Sequence, residues 1–206
     1  MNDTPDAAST DDLAPDEHTP DAFTPDDPTL RSLGTSADEV VALVDRLESE
    51  GITYQVNGGW GVDALVGEQT REHSDVDVFV DGEAFESVSD WLLARGYTEE
   101  QDFLPVAVWY VQATDERINR VDLHPMVLDD DGNGYQSGEK EQYFHHPADA
   151  RTTGTIAGRS VVVGNRDHLI SLHQGYLPQA SDLHNLMQLE KLRGHDVGRV
   201  ELPPSE

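Results

Sequence analysis

Asp75 and Asp77 stand either side of Val76, in a run whose valines alternate at Val76, Val78 and Val80. A period of two belongs to a strand, and side chains i and i+2 leave the same face of a strand, with Cα atoms roughly 7 Å apart. Two adjacent carboxylates offer hard oxygen ligands of the kind that bridge two Mg²⁺ ions about 3.5–4 Å apart. In a chain with 25 aspartates the D-x-D spacing also arises by chance, as Asp129 and Asp131 illustrate, and an isolated pair reads as the solvated face of an edge strand. The upstream residues change that reading. Ile52 to Val56 reads as a strand that enters Gly58-Gly59, and a short helix through Val62 and Leu65 ends at Gly67. A helix opening after two glycines presents unpaired N–H groups, and the missing Cβ atoms let a phosphate chain approach them. Gly-Gly alone marks only a tight turn. Followed closely by the carboxylate strand, it would set a triphosphate and its metal ions side by side.

The elements that must position these residues follow from pattern. Ser36-Ala37-Asp38-Glu39 is an S-x-x-E capping box; Val40, Leu43, Val44 and Leu47 continue at helical spacing, and Gly51 stops the helix. After the strand Val76–Val80, a helix is predicted from about Glu83 to Arg95, with Gly96 beyond it. Strands fit Pro105–Ala113 and Arg117–His124, the stretch Asp129–Gly138 is rich in turn residues, and Thr153–Ala157 with Ser160–Val163 reads as a hairpin. Helices near Asp167–Gln174 and Gln179–Arg193 close the chain's body. This order predicts an α+β domain over residues 35–200: a small mixed sheet with flanking helices and C-terminal helices. Residues 1–34 carry nine acids, one base and five of the eleven prolines, without helical or strand period. Such a segment buries too little apolar surface to offset its ordering entropy and is expected to be a disordered acidic tail.

Composition narrows the function classes. The chain has 206 residues and a formal charge of −28, from 41 acidic and 13 basic side chains. That balance argues against a basic groove tracking nucleic acid. No stretch of 18 apolar residues is long enough to span a membrane, and the N-terminus has neither the basic start nor the apolar run of a secretory signal, so a cytoplasmic protein is expected. The absence of cysteine removes disulfides, thiolate catalysis and Cys-based zinc sites. Of the 13 basic residues only Lys140 and Lys191 are lysines, and mean hydropathy is −0.56. An acidic, lysine-poor composition resembles that of salt-in halophilic organisms, where molar salt screens self-repulsion. An acidic nucleic-acid mimic would gather its charge into a run, whereas here the acids are scattered along the chain.

The string Gly58-Gly59-Trp60-Gly61-Val62-Asp63-Ala64-Leu65, Gly67, Thr70-Arg71-x-His73-x-Asp75-x-Asp77 resembles the small antibiotic nucleotidyltransferases. Lincosamide nucleotidyltransferases are the nearest in pattern, with aminoglycoside 2″-nucleotidyltransferases beside them, all of the polymerase-β-type superfamily. Arg120-Val121-Asp122-Leu123-His124, Gly154–Val161 and Leu172–Tyr176 extend the likeness over roughly residues 38–193. The resemblance implies a nucleotidyltransferase (polymerase-β-like palm) fold. It implies two Mg²⁺ ions on Asp75 and Asp77, and Asp122 as the third metal carboxylate and acceptor of the attacking hydroxyl's proton. Without it, Asp122 reads equally well as a strand-end turn cap. Gly58 and Gly59 are expected to donate backbone N–H groups to the β- and γ-phosphates. Arg71 would pair with a phosphate or buttress Asp75; His73 would orient Asp75, reach the nucleotide or serve as a structural histidine. Trp60 and Asp63 are read as packing and capping elements.

The reaction so implied moves a nucleoside monophosphate, AMP being expected, from an NTP to a hydroxyl of a small antibiotic-like acceptor. A homodimer is compatible with the resemblance. Two other readings stay open: a degenerate fold that binds nucleotide or a protein partner without turnover, and a protein AMPylase of a toxin–antitoxin pair. The chain departs from the pattern at Asn57, where a small residue is usual, and at Ser181, where a lysine often precedes the aspartate of the last helix. Asp129-x-Asp131-x-Asn133-Gly134 imitates an EF-hand loop but has Lys140 at the twelfth position, and the adjacent His145 and His146 diverge on regular structure.

Overall fold

The chain divides into Met1–Arg31 and Ser32–Glu206, and the computed structural model describes residues 34–114, 117–138, 143–174 and 177–193, all in the second unit. Residues 1–33 of the expected tail, Lys140, Gly175 and Tyr176 lie outside the described residues. Half of the expected capping box forms: Ser36 Oγ accepts from the Glu39 N–H and starts α1 (Ala37–Ser49), which buries Val40, Leu43, Val44 and Leu47, while the Glu39 carboxylate accepts from Arg95 and Tyr97. β1 (Tyr54–Val56) runs directly into α2 (Gly58–Val66), and β2 (Val76–Asp81) follows through a short connection. A 3₁₀ turn over Gly82–Ala84 leads to α3 (Phe85–Ala94), so the helix expected from Glu83 begins slightly later.

Among the described residues nine strands form one mixed sheet, three more than the sequence pattern predicts. Its main order is β3-β4-β5-β2-β1-β9-β8, with β3 (Thr98–Asp102), β4 (Val108–Ala113), β5 (Ile118–Leu128), β8 (Arg151–Ile156) and β9 (Arg159–Gly164). β6 (Gly134–Ser137) and β7 (Tyr143–His146) extend β5 as an antiparallel arm. The arm passes through the stretch read as turns, and β4 starts only at Val108 because Phe103 and Val106 close a tight turn before it. α4 (Arg166–Leu172) and α5 (Ala180–Lys191) complete the body.

The pairing of β2 with β5 places the chemistry. The two strands run parallel with Asp77 opposite Asp122 and Phe79 opposite His124. Register partners in a parallel pair lie on one face, about 4.8 Å apart. The alternate residues Val76, Val78, Val121 and Leu123 are at most 1% exposed and join α1, α2 and α3 in the core. One strand pair thus anchors itself through valines and leucine and presents carboxylates on the other side. The turn imitating an EF-hand closes on itself: the Asp129 carboxylate accepts from Asn133, Asp131 and Tyr135 between β5 and β6.

Candidate active site

Asn57 caps α2 at the end of β1, its N–H bound to the carbonyl of Asp77, so helix N-terminus and carboxylate strand are tied by backbone. Gly58 adopts φ +57°, and a Cβ there would lie 1.9 Å from Asp77 Oδ2. Glycine is therefore required twice, for the left-handed backbone and for the space that the carboxylate occupies. A Cβ on Gly59 would lie 2.2 Å from His73 Nδ1 and 2.7 Å from Arg71 Nη2, so both basic groups close in on the glycine pair. Asn57 is 2% exposed; its Oδ1 accepts from Gln55, while its Nδ2 is buried without a partner.

These residues open onto a cavity of about 430 Å³ lined by Gly58, Gly59, Arg71, Asp75 and Asp77, with Asp182 and Asn185 of α5 among the residues opposite. Arg71 spans the gap, its Nη2 3.3 Å from Asn185 Oδ1, and is the one arginine or lysine among the described lining residues. Ser181, where the resemblance leads to the expectation of a lysine, also lines the cavity, and Lys191 bonds Gln188. The helix α5 is held over the glycine motif by Thr70, whose hydroxyl is 2.9 Å from His184 Nε2.

Asp75 is held above the usual carboxylate range by burial and by the charge of Asp77, although Ser74 donates to it. Asp122 is pushed up to about 8, first by burial and then by Asp77 and Asp75. Carboxyls crowded in this way hold protons because Arg71 near Asp75 and Arg120 near Asp122 offset the repulsion only in part, and a divalent cation would offset more. One ligand atom each from Asp77, Asp122 and His124 lie within 4.8 Å of one another. Asp77 and Asp122 are thus brought to one face; Asp75 lies outside this cluster but near enough for its charge to act on Asp122, which is not itself among the residues lining the cavity. His124 joins Asp77 and Asp122 unannounced, although the signal was present: it is i+2 from Asp122 on the same strand.

His73 is placed elsewhere than a nucleotide contact would require. It is 2% exposed behind the glycine pair, its Nε2 2.5 Å from Asp63 Oδ2 and its ring beside Trp60, and it does not line the cavity. Asp63 also accepts from the N–H and hydroxyl of Thr70. Burial alone would raise the Asp63 carboxyl, but the bonds from His73 and Thr70 hold it below its ordinary range. The structural alternative for His73 is the one that the geometry favours, because a ring packed between Asp63 and Gly59 supports the glycine pair from beneath. His145 and His146 do diverge: His145 stacks on Tyr135, whereas buried His146 meets His168 at 3.1 Å.

The aminoglycoside-2″-adenylyltransferase family profile matches residues 39–189. A lincosamide resistance protein from Staphylococcus haemolyticus is 26% identical over 163 residues, 79% of this chain and 99% of that protein. The crystal structure of lincosamide antibiotic adenylyltransferase LnuA, lincomycin-bound, superposes with a TM-score of 0.69 at 26% identity, covering 77% of this chain and 99% of LnuA. The crystal structure of ANT(2″)-Ia in complex with adenylyl-2″-tobramycin shares the fold, with a TM-score of 0.59 at 18% identity over 78% of this chain and 90% of that one. A match running from the first helix to the last, over a strand pair that aligns Asp77 with Asp122 beside a glycine-opened helix, establishes that the chain belongs to the aminoglycoside-2″-adenylyltransferase family of nucleotidyltransferases.

Proposed function

We propose that the chain transfers AMP from ATP to a hydroxyl of an antibiotic-like acceptor, using divalent metal held by Asp75, Asp77 and Asp122. The observation that carries this reading is the in-register pair Asp77 and Asp122 next to a left-handed Gly58 whose missing Cβ leaves room for the carboxylate. The donor set suits a hard divalent cation: crowded carboxylate oxygens at the mouth of a helix N-terminus. Bound there, the ions would neutralise the triphosphate and polarise the α-phosphate. Gly58, Gly59 and the free amide of Asn57 would donate to the phosphate chain, with Arg71 pairing a phosphate oxygen through its fork. His73, held by Asp63, would fix the loop. Asp122 would take the proton as the acceptor's oxygen attacks the α-phosphorus, the bond to the β-phosphate breaks and pyrophosphate leaves.

Retention of all three carboxylates and of the glycine cradle speaks against a degenerate fold without turnover. The relative that this chain covers almost end to end is a lincosamide resistance protein, which favours a lincosamide-like acceptor over a protein hydroxyl. The described helices include none long and apolar enough to cross a membrane; a cytoplasmic, salt-adapted enzyme, with homodimerisation as its assembly, completes the proposal. The test is pyrophosphate release from each NTP with Mg²⁺ in molar KCl, with lincosamide and aminoglycoside acceptors. Release should require ATP and an acceptor that gains AMP by mass, and should fall at least about 100-fold in Asp77→Asn and in Gly58→Ala, each checked for folding. Undiminished turnover in Asp77→Asn would overturn the metal assignment; no acceptor-dependent release from any NTP would overturn the transferase reading.

A further inference from the structure

His124 is 13% exposed in its side chain and lies flat against Phe79, ring centroids 4.3 Å apart and planes 7° from parallel. Stacking on one face and the strand on the other leave the ring little rotational freedom. Its Nε2 is buried, has no hydrogen-bond partner and faces Asp77 Oδ1 at 3.6 Å. Its Nδ1 lies 3.3 Å from the carbonyl of Val106 and 3.0 Å from Gln136 Nε2. A buried ring nitrogen without a partner is costly, and this one sits in a triangle with two carboxylates.

The geometry points to His124 Nε2 as a nitrogen ligand of the metal site with Asp77 and Asp122, giving the site a preference for Mn²⁺ over Mg²⁺. The inference rests on the reading of Asp77 and Asp122 as metal carboxylates and deepens it. A ligating imidazole needs its lone pair on the metal side and its proton on the other nitrogen, usually bonded to a carbonyl or carboxylate. Val106 O occupies that position for Nδ1. The three atoms lie within 4.8 Å of one another, whereas neighbouring ligands of an ion of this size lie roughly 3 Å apart, so side-chain rotation of an ångström or two would close the set. Mg²⁺ takes oxygen ligands almost exclusively, whereas Mn²⁺ stands at the start of the series of ions that also accept imidazole. The opposite tautomer makes a different statement: with Gln136 donating to Nδ1, the Nε2–H would point at Asp77 and His124 would only orient that carboxylate.

The deciding measurement is pulsed EPR of Mn²⁺ bound to the full chain with ¹⁵N-labelled histidine, in molar KCl with α,β-methylene-ATP. A ¹⁵N coupling to Mn²⁺ is expected in the wild type and should vanish in His124→Gln. Mn²⁺ affinity should fall about tenfold in that variant, while Mg²⁺ affinity, measured by competition, should change less than about threefold. Bound Mn²⁺ without ¹⁵N coupling in the wild type would overturn the ligand role of His124 while leaving the carboxylate site intact. Coupling that persists in His124→Gln would assign another histidine and overturn it equally. Mn²⁺ binding unaltered by Asp77→Asn would overturn the underlying metal site itself.

Discussion

Asp122 combines two properties that pull against each other. Its position opposite Asp77 suits it to hold metal and accept a proton, yet burial and two neighbouring aspartates push its carboxyl up to about 8 without metal. The unfolded chain releases that proton near the ordinary value of 3.8, so between about pH 4 and pH 8 the folded state binds more protons. The contribution to stability is fully present below about pH 4 and is lost as pH rises toward 8. Asp122→Asn removes this slope by removing the charge. In EDTA, the melting temperature of the variant minus that of the wild type should therefore grow from pH 5 to pH 8. Added Mg²⁺ or Mn²⁺ should reverse the order at pH 8 by stabilising the wild type more. A difference independent of pH would mean that Asp122 is not strained by its neighbours. On the proposed reading, Asp122→Asn would gain stability in the absence of metal and lose turnover, the exchange expected where like charges are gathered for function.

Between α2 and β2 the chain must turn and still hold Arg71 and Asp75 at the cavity, and it does so through Asp63. That carboxylate, 3% exposed, accepts from His73, 2% exposed, and twice from Thr70. Asp63→Asn puts an amide where donors converge, and removing one partner of a buried pair costs about 3–5 kcal/mol. For a domain of this size that is a fall in melting temperature of about 6–20 °C at pH 7. Because the folded carboxyl lies below its ordinary value, this stability is present above about pH 4 and is lost on acidification through the folded value, so the gap to wild type should narrow in acid. A variant as stable as the wild type at pH 7 would remove the pair from its anchoring role. Sequence pattern located this segment well, because glycines, the capping Ser36 and alternating valines each impose a local geometry. It did not locate β3, whose residues Thr98–Asp102 are all exposed and polar, so no alternation marks them. Nor did it find the arm: Tyr135 and Tyr143 point outward, and Gly134 and Asn133 read as turn residues. His124 escaped for another reason: the i+2 spacing puts it on one face with Asp122, but its partnership with Asp77 depends on strand register, which no local pattern encodes.

The charge of the whole molecule acts on a longer scale than either. Residues 35–206 carry 32 acids against 12 bases. Several of the described arginines are already paired with acids: Arg46 with Glu50, Arg95 with Glu39, Arg159 with both Asp45 and Glu48, and Arg166 with both Asp167 and Glu190. Acids therefore outnumber the cations available to them, and the surplus repels itself over the surface. Salt weakens both kinds of interaction, since the Debye length falls from about 10 Å at 0.1 M to about 3 Å at 1 M. Exposed ion pairs contribute only about 0–1 kcal/mol each, so screening loses little through them and relieves a repulsion spread over the remaining acids. The melting temperature of the full chain should accordingly rise by roughly 5–10 °C between 0.1 M and 2 M KCl, about 2–4 kcal/mol for a domain of this size. Sucrose at matched osmolality, which stabilises by exclusion without screening, should give a smaller rise. A melting temperature that stays flat or falls in KCl would show that the acidic surface is no adaptation to salt. A rise in KCl alone would identify screening as what this fold needs to hold Asp75, Asp77 and Asp122 near one another in so negative a molecule.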